Sequence, residues 1–195
     1  MYIWLQFNYS SMVINAFVVD NFYNNPQEVR AFAMKQDFNV KGNYPGARTA
    51  SFSNSSVRET IERIVTPHFG KITYWPEGYN GSYQITTARD RSWIHADHGT
   101  KFAGVVYLTP DAPLSSGTGF FRHKETGLTE SIDGKGSWNN HAQDMTKWDM
   151  VSSVGNVFNR LILYRGSQFH SSLDYFGSSL EDGRLFQTFF FTAGE

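Results

Sequence analysis

"NRLILYRGSQFHSSLDYFGSSLEDGRLFQTFFFTA" occupies residues 159–193. Its first part, "NRLILYRGSQFHSS", is a short apolar run that ends in a Gly-containing turn and presents His170. Runs of this kind, bounded by turn residues, read as β-strands. Its last part, "RLFQTFFFTA", is a Phe-rich strand opened by Arg184. Strand side chains alternate, so Arg184, Phe186, Thr188 and Phe190 share one face. A cation deep in so apolar a strand is costly unless it is paired. The strand carries no carboxylate of its own, so the partner is either an acidic ligand or an Asp or Glu from elsewhere in the chain.

Working outward, "GSYQITTAR" (81–89), "KFAGVVYLTP" (101–110) and "GTGFFRH" (117–123) have the same texture, rich in β-branched and aromatic residues and punctuated by Gly and Pro. Before residue 70 the pattern differs. "AFVVDNFYNNPQEVRAFAMKQDF" reads as strand, turn and helix, with Pro26 suited to a first helical turn and the helix running to about Gln36. "SSVRETIERIVTPHF" carries Val57, Ile61 and Ile64 at helical spacing and predicts a second helix over about 56–65. The polar, Gly-punctuated segment 127–150 reads as a long loop. These elements predict a mainly β protein with two flanking helices packed on an antiparallel sandwich or barrel. A chain of 195 residues suits one domain, with helical support over 20–70 and a β-core over about 71–195.

Composition removes several kinds of chemistry. The chain has no cysteine, which excludes disulfides, thiolate zinc sites, iron–sulfur clusters and a Cys nucleophile. Any metal must then be held by His and carboxylates. A net charge of −1 gives no nucleic-acid footprint. The N-terminal stretch has no basic region leading into an apolar run, and no run reaches the roughly 18 apolar residues of a membrane span. A cytoplasmic location is the resulting expectation, with no partner membrane or nucleic acid.

"RSWIHADHGTKF" (91–102) concentrates His95, Asp97 and His98. The His-x-Asp spacing puts His95 and Asp97 on one face of an extended strand, from which both can reach one ion. A hydrogen-bonded polar turn has the same composition, and the pair alone does not decide between the two.

The wider set does carry information. His-x-Asp at 95 and 97, a distal His170, and Arg184 at the start of a late core strand together resemble the Fe(II)/2-oxoglutarate-dependent oxygenases, in particular their prolyl-hydroxylase-like branch. Tyr83 lies twelve residues before His95, Tyr107 opens the Tyr-Leu pair of "VVYLTP", and "GTGFF" stands where that family has a Gly-rich turn. The similarity covers about residues 80–192. It implies a double-stranded β-helix, a jelly roll of two facing antiparallel sheets. It implies that His95, Asp97 and His170 bind Fe(II) on one face of an octahedron, leaving three positions open. 2-Oxoglutarate would take two of these, its far carboxylate pairing with Arg184. Tyr83 and Tyr107 are then candidate donors to the cosubstrate, and Phe190 a wall of its pocket. The implied reaction is hydroxylation of a substrate C–H bond by dioxygen with release of succinate and CO2, with ascorbate as a candidate reductant. Asp97 favours hydroxylation, since halogenating relatives have a small residue at that position.

Other residues read as ordinary. His98 is expected at the surface or behind the ligands. His68, His123 and His141 are expected as non-ligands, with His123 near the substrate mouth. Trp93, Trp138 and Trp148 are expected to pack. Should Arg184 not anchor the cosubstrate, Arg160 and Arg165 are next in line. Two other functions use the same residues: a cupin-like metal-dependent hydrolase or isomerase, which usually adds a further His and a Glu, and a non-catalytic β-sandwich binding module. The substrate is not encoded in any motif, because the loops at the mouth of such barrels set it.

Overall fold

The computed structural model describes residues 13–132 and 140–194. Trp138 and the first twelve residues lie outside the described residues. Among the described residues, ten strands form two antiparallel sheets: β1 (Ala16–Val19), β2 (Ala47–Arg48), β3 (Ile72–Tyr74), β4 (Tyr83–Thr86), β5 (Phe102–Tyr107), β6 (Thr118–His123), β7 (Trp148–Val154), β8 (Leu161–Arg165), β9 (His170–Ser172) and β10 (Arg184–Ala193). The larger sheet has the order β1-β8-β5-β10-β4-β2, with β3 added along β10. The smaller has the order β7-β6-β9 and is extended by a bridge between His170 and His95.

The central strands of the larger sheet read as continuous apolar runs because they are buried on both faces. One face carries Phe102, Val106, Leu161, Leu163, Leu185, Phe189 and Phe191, and it packs against α1 (Pro26–Ala33) and α2 (Ser55–Phe69). The alternate residues Ala103, Val105, Tyr107, Ile162, Tyr164 and Phe186 point the other way, toward Phe120 of the smaller sheet. Two facing antiparallel sheets with the helices outside one of them make the double-stranded β-helix expected from the sequence.

The helices stop where local chemistry stops them. α1 starts at Pro26 as predicted but closes at Ala33, three residues earlier than expected. In α2 the Asn54 side chain accepts from the Val57 N–H, Ile61 and Val65 are buried, and Gly70 at φ 80° ends the helix. That left-handed φ suits glycine at a helix terminus.

The sequence reading misses two features. The larger sheet takes β1 and β2 from the first 50 residues, so the β-core begins well before residue 71. The presumed loop 127–150 includes the start of β7, which pairs with β6 from Trp148 onward. Asp149 to Ser153 of β7 are mostly exposed, so that edge strand has no apolar alternation by which sequence could reveal it.

Candidate metal centre

The two histidines are placed by backbone pairing. His95 N–H donates to the His170 carbonyl at 3.0 Å and His170 N–H donates to the His95 carbonyl at 2.8 Å. Residues paired directly across an antiparallel ladder project to the same side, and the two imidazole centroids lie 4.4 Å apart. Asp97, two residues on, is held by its N–H donating to the Gly166 carbonyl at 2.8 Å. Gly166 permits that approach: a Cβ there would stand 3.2 Å from Asp97 Cβ and 3.3 Å from the Thr100 carbonyl oxygen.

The side chains are oriented as ligands. His95 Nδ1 lies 3.0 Å from the Trp93 carbonyl oxygen and His170 Nδ1 lies 2.8 Å from that of Gln168. A carbonyl can only accept, so each Nδ1 carries the proton and each Nε2 presents its lone pair. Asp97 Oδ1 is 3.8 Å from His95 Nε2, and Asp97 Oδ2 is 3.5 Å from His170 Nε2. One ligand atom from each residue falls within 4.8 Å of the others. Burial pushes the His170 imidazole down to about 4, with His95 adding to the effect and Asp97 opposing it. It is therefore neutral, as a metal ligand must be, near pH 7. Two imidazoles and one carboxylate with open positions are the donor set that suits a non-haem Fe(II).

These residues line a cleft of about 400 Å³ between the sheets. Val105, Thr118, Tyr164, Phe186 and Thr188 form its inner part, and Tyr44, Arg48, Trp93, His98 and Phe190 contribute nearer the mouth. Phe190, expected as a wall of the cosubstrate pocket beside Arg184, lines this cleft. His98 and Trp93 line the cleft rather than serving only as surface and packing.

Arg184 lies behind this cleft and is fully buried. Its Nε donates to the Ser116 carbonyl at 2.7 Å and its Nη2 to that of Gly117 at 3.2 Å, but Nη1 is buried without a partner. The guanidinium stacks 4.4 Å from the Phe186 ring and 5.4 Å from that of Tyr107. No carboxylate among the described residues pairs with it. Two other buried hydroxyls without a partner belong to its surroundings. Thr86 Oγ1 is on the residue directly opposite Arg184 in β4, and Tyr175 acts on the Arg184 charge. Arg184 Nη1 and these two hydroxyls are three buried donors without a partner, a set that suits an anion. Burial pulls the guanidinium's pKa down while Tyr107 and its neighbours push it up.

The two tyrosines part company. Tyr107 faces the interior, its hydroxyl 2.8 Å from Thr118 Oγ1 beside Arg184. Tyr83 faces the helices instead, in the core with Phe32 and Phe52. Pairing explains this: Tyr83 is opposite Gln187, whereas its neighbour Gln84 is opposite Phe186 and so occupies the cleft face. Tyr83 is therefore corrected to a packing residue. Tyr164, not singled out from the sequence, lines the cleft with its ring 4.7 Å from that of His170. The reserve cations are already neutralised, Arg160 by Asp20 at 2.6 Å and Arg165 by Glu130 at 3.0 Å. Arg48 is the cation that sequence missed; no motif marks it, and only the pairing of β2 with β4 brings it to the cleft.

His123 and His141, expected as non-ligands, form a second group with Glu125, their rings hydrogen-bonded through His123 Nε2 and His141 Nδ1 at 2.9 Å. His123 is buried against Trp148 and does not line the cleft.

Residues 9–191 match the family described as a family of unknown function (DUF6445). The chain belongs to this family. No curated protein matches the sequence. Among solved structures, HygX from Streptomyces hygroscopicus, with nickel, 2-oxoglutarate and hygromycin B bound, is similar at 12% identity and a TM-score of 0.63, over 92% of this chain and 83% of that one. A prolyl hydroxylase from Trichoplax adhaerens, in complex with a hypoxia-inducible-factor peptide fragment, is similar at 12% identity and a TM-score of 0.55, over 91% and 83%. The non-haem α-ketoglutarate-dependent epimerase SnoN of nogalamycin biosynthesis gives 13% identity and a TM-score of 0.55, over 90% and 78%. This DUF6445 protein thus shares the double-stranded β-helix of the 2-oxoglutarate oxygenases.

Proposed function

We propose that the protein is an Fe(II)- and 2-oxoglutarate-dependent dioxygenase that hydroxylates its substrate with release of succinate and CO2. One observation carries this reading above the others. A His–Asp–His triad lines the cleft, and a buried cation that pairs with no carboxylate among the described residues lies on the same interior side of the larger sheet. HygX is similar in fold and holds 2-oxoglutarate with its metal. Bound iron and 2-oxoglutarate would supply the oxidising power for attack on a C–H bond.

The chain's own groups have definite tasks in this reaction. His95, Asp97 and His170 would hold the ion by one face. Arg184 would pair with the far carboxylate of the cosubstrate, with the Thr86 and Tyr175 hydroxyls as further donors. Phe186 both stacks on the guanidinium and lines the cleft, so it stands between Arg184 and the open space. Val105, Tyr164 and Phe190 exclude water, which strengthens the charge pairing. Among the described residues the ligand group around His95 ends at three. That is fewer than the cupin-like hydrolase needs.

The test is oxoglutarate turnover. Protein supplied with Fe(II), and with ascorbate to keep the iron reduced, should release succinate in the presence of a competent substrate and bind N-oxalylglycine, an unreactive analogue of 2-oxoglutarate. Failure to bind either 2-oxoglutarate or N-oxalylglycine, in metal-loaded protein, would remove the reading.

A further inference from the structure

We propose that Arg48 is the substrate-recognition residue of this cleft and that the substrate is an organic acid whose carboxylate it binds. The proposal rests on the oxygenase reading and names the substrate class for the same site.

The placement follows from strand pairing. Arg48 of β2 is directly opposite Gln84 of β4, Gln84 is opposite Phe186 of β10, and Phe186 is opposite Tyr107 of β5. Direct cross-strand partners share a face, so Arg48 stands on the interior face in the same row as Phe186. Arg184 lies on that face too, two strands over and two residues along. Strand spacing and rise put the two Cα atoms roughly 12 Å apart. The two cations therefore serve different ligands: Arg184 is at the closed end, and Arg48 lines the open cleft with His95, Asp97 and His170.

Arg48 is held rigid without being neutralised. Its Nε donates to Gln84 Oε1 at 3.0 Å and its Nη2 donates to the same oxygen. Gln84 is fixed in turn by its Nε2 donating to the Pro45 carbonyl at 2.7 Å. The guanidinium lies 3.8 Å from the Tyr44 ring centroid. No carboxylate ion-pairs with Arg48 among the described residues, and Asp97, the acid whose charge reaches it, is committed to the metal triad. Gln84 is neutral and Tyr44 is a weak counterpart, so a half-buried cation faces the cleft with charge to spare. A partly desolvated guanidinium gains most from a carboxylate, which its planar fork matches. The cosubstrate does not meet this need. A divalent ion, Asp97, a dicarboxylate and Arg184 already sum to neutrality, which leaves the charge of Arg48 for the substrate. Tyr44 against the guanidinium, and Trp93 and Phe190 elsewhere on the cleft lining, supply apolar surface for the body of such an acid.

The test uses Ni(II)-loaded protein saturated with N-oxalylglycine, titrated calorimetrically with N-acetyl amino acids of aromatic, aliphatic and small side chains, each beside its C-terminal amide. At least one acid should bind tenfold or more tighter than its amide. In Arg48→Gln that preference should fall to within twofold, in Arg48→Lys part of it should return, and N-oxalylglycine should bind both variants as it binds the wild type. The proposal is overturned if no acid is preferred, if no member of the set binds, or if the preference survives in Arg48→Gln. It is equally overturned if Arg48→Gln loses N-oxalylglycine while Arg184→Gln keeps it, since Arg48 would then anchor the cosubstrate. Failure of the underlying oxygenase reading is visible separately, because N-oxalylglycine would then not bind the wild type at all.

Discussion

His95 and His170 face each other as a doubly hydrogen-bonded cross-strand pair, each N–H donating to the other's carbonyl at 3.0 and 2.8 Å. The same two residues also anchor their Nδ1 atoms on the carbonyl two positions earlier, Trp93 and Gln168. Backbone geometry thus fixes the separation and the tautomer of both rings before any ion binds.

Metal affinity should accordingly collapse when one ligand is removed and barely change when the cradle beyond it is altered. Asp97→Ala and His170→Ala are expected to lower Ni(II) or Fe(II) affinity by on the order of 100-fold or more. Arg184→Gln should leave it within a few-fold. Calorimetric titration with metal, together with metal content after dialysis, checks both halves.

Arg184→Gln should weaken N-oxalylglycine by on the order of 100-fold, the scale of losing one partner from a buried charge pair. Tyr83→Phe should leave that affinity within about twofold, because the Tyr83 ring packs against Phe32 and Phe52 on the helix side. If Tyr83→Phe weakens the analogue as much as Arg184→Gln does, the assignment of faces on β4 is wrong.

Gly166→Ala tests how closely the Asp97 backbone must approach the turn after β8. A methyl group there would crowd Asp97 Cβ at 3.2 Å and the Thr100 carbonyl oxygen at 3.3 Å, and neither is the end of a flexible side chain. Displacing Asp97 should cost roughly tenfold in metal affinity. A measured affinity equal to that of the wild type would show that Asp97 has slack.

The metal-free protein should also lose stability in acid through His170. Its folded pKa, about 4, is below the ordinary 6.5, so between these values the unfolded chain binds more protons than the native one. The contribution is therefore complete above pH 6.5 and drains away as pH falls toward 4, to about 3 kcal/mol at most. Denaturant midpoints followed across that window should fall for the wild type and fall less for His170→Gln. Equal slopes in the two proteins would assign the acid sensitivity to other groups.

Several features were legible in the residues themselves. Apolar strands separated by Gly and Pro and two short runs at helical spacing point to a β-rich fold, and the absence of cysteine leaves His and carboxylates as the ligands for any metal. His95, Asp97, His170 and Arg184 stood out as a set only through their resemblance to the 2-oxoglutarate oxygenases, since the spacing of His95 and Asp97 alone fits a polar turn equally well. The polar edge strand β7 was not legible, since an exposed edge has no alternation to read. The His123 and His141 pair was not legible either, because the two lie eighteen positions apart along the chain and no local pattern links them.

The sequence by itself therefore determined which side chains are available as candidate ligands for a metal and an anion, and that the regular structure would be mainly strand with two helices. Tertiary structure alone decided which of them meet. One position of strand register sends Tyr83 to the helices and Gln84 to the cleft, because neighbouring residues on a strand point to opposite faces. Pairing of β2 with β4 carries Arg48, an unremarked residue 47 positions before His95, to the same cleft as the triad. Local composition records neither the partner of a strand nor its register. Both are fixed by non-local hydrogen bonds and by packing of the two faces, so the charge balance of the cleft becomes readable only once the sheets have formed.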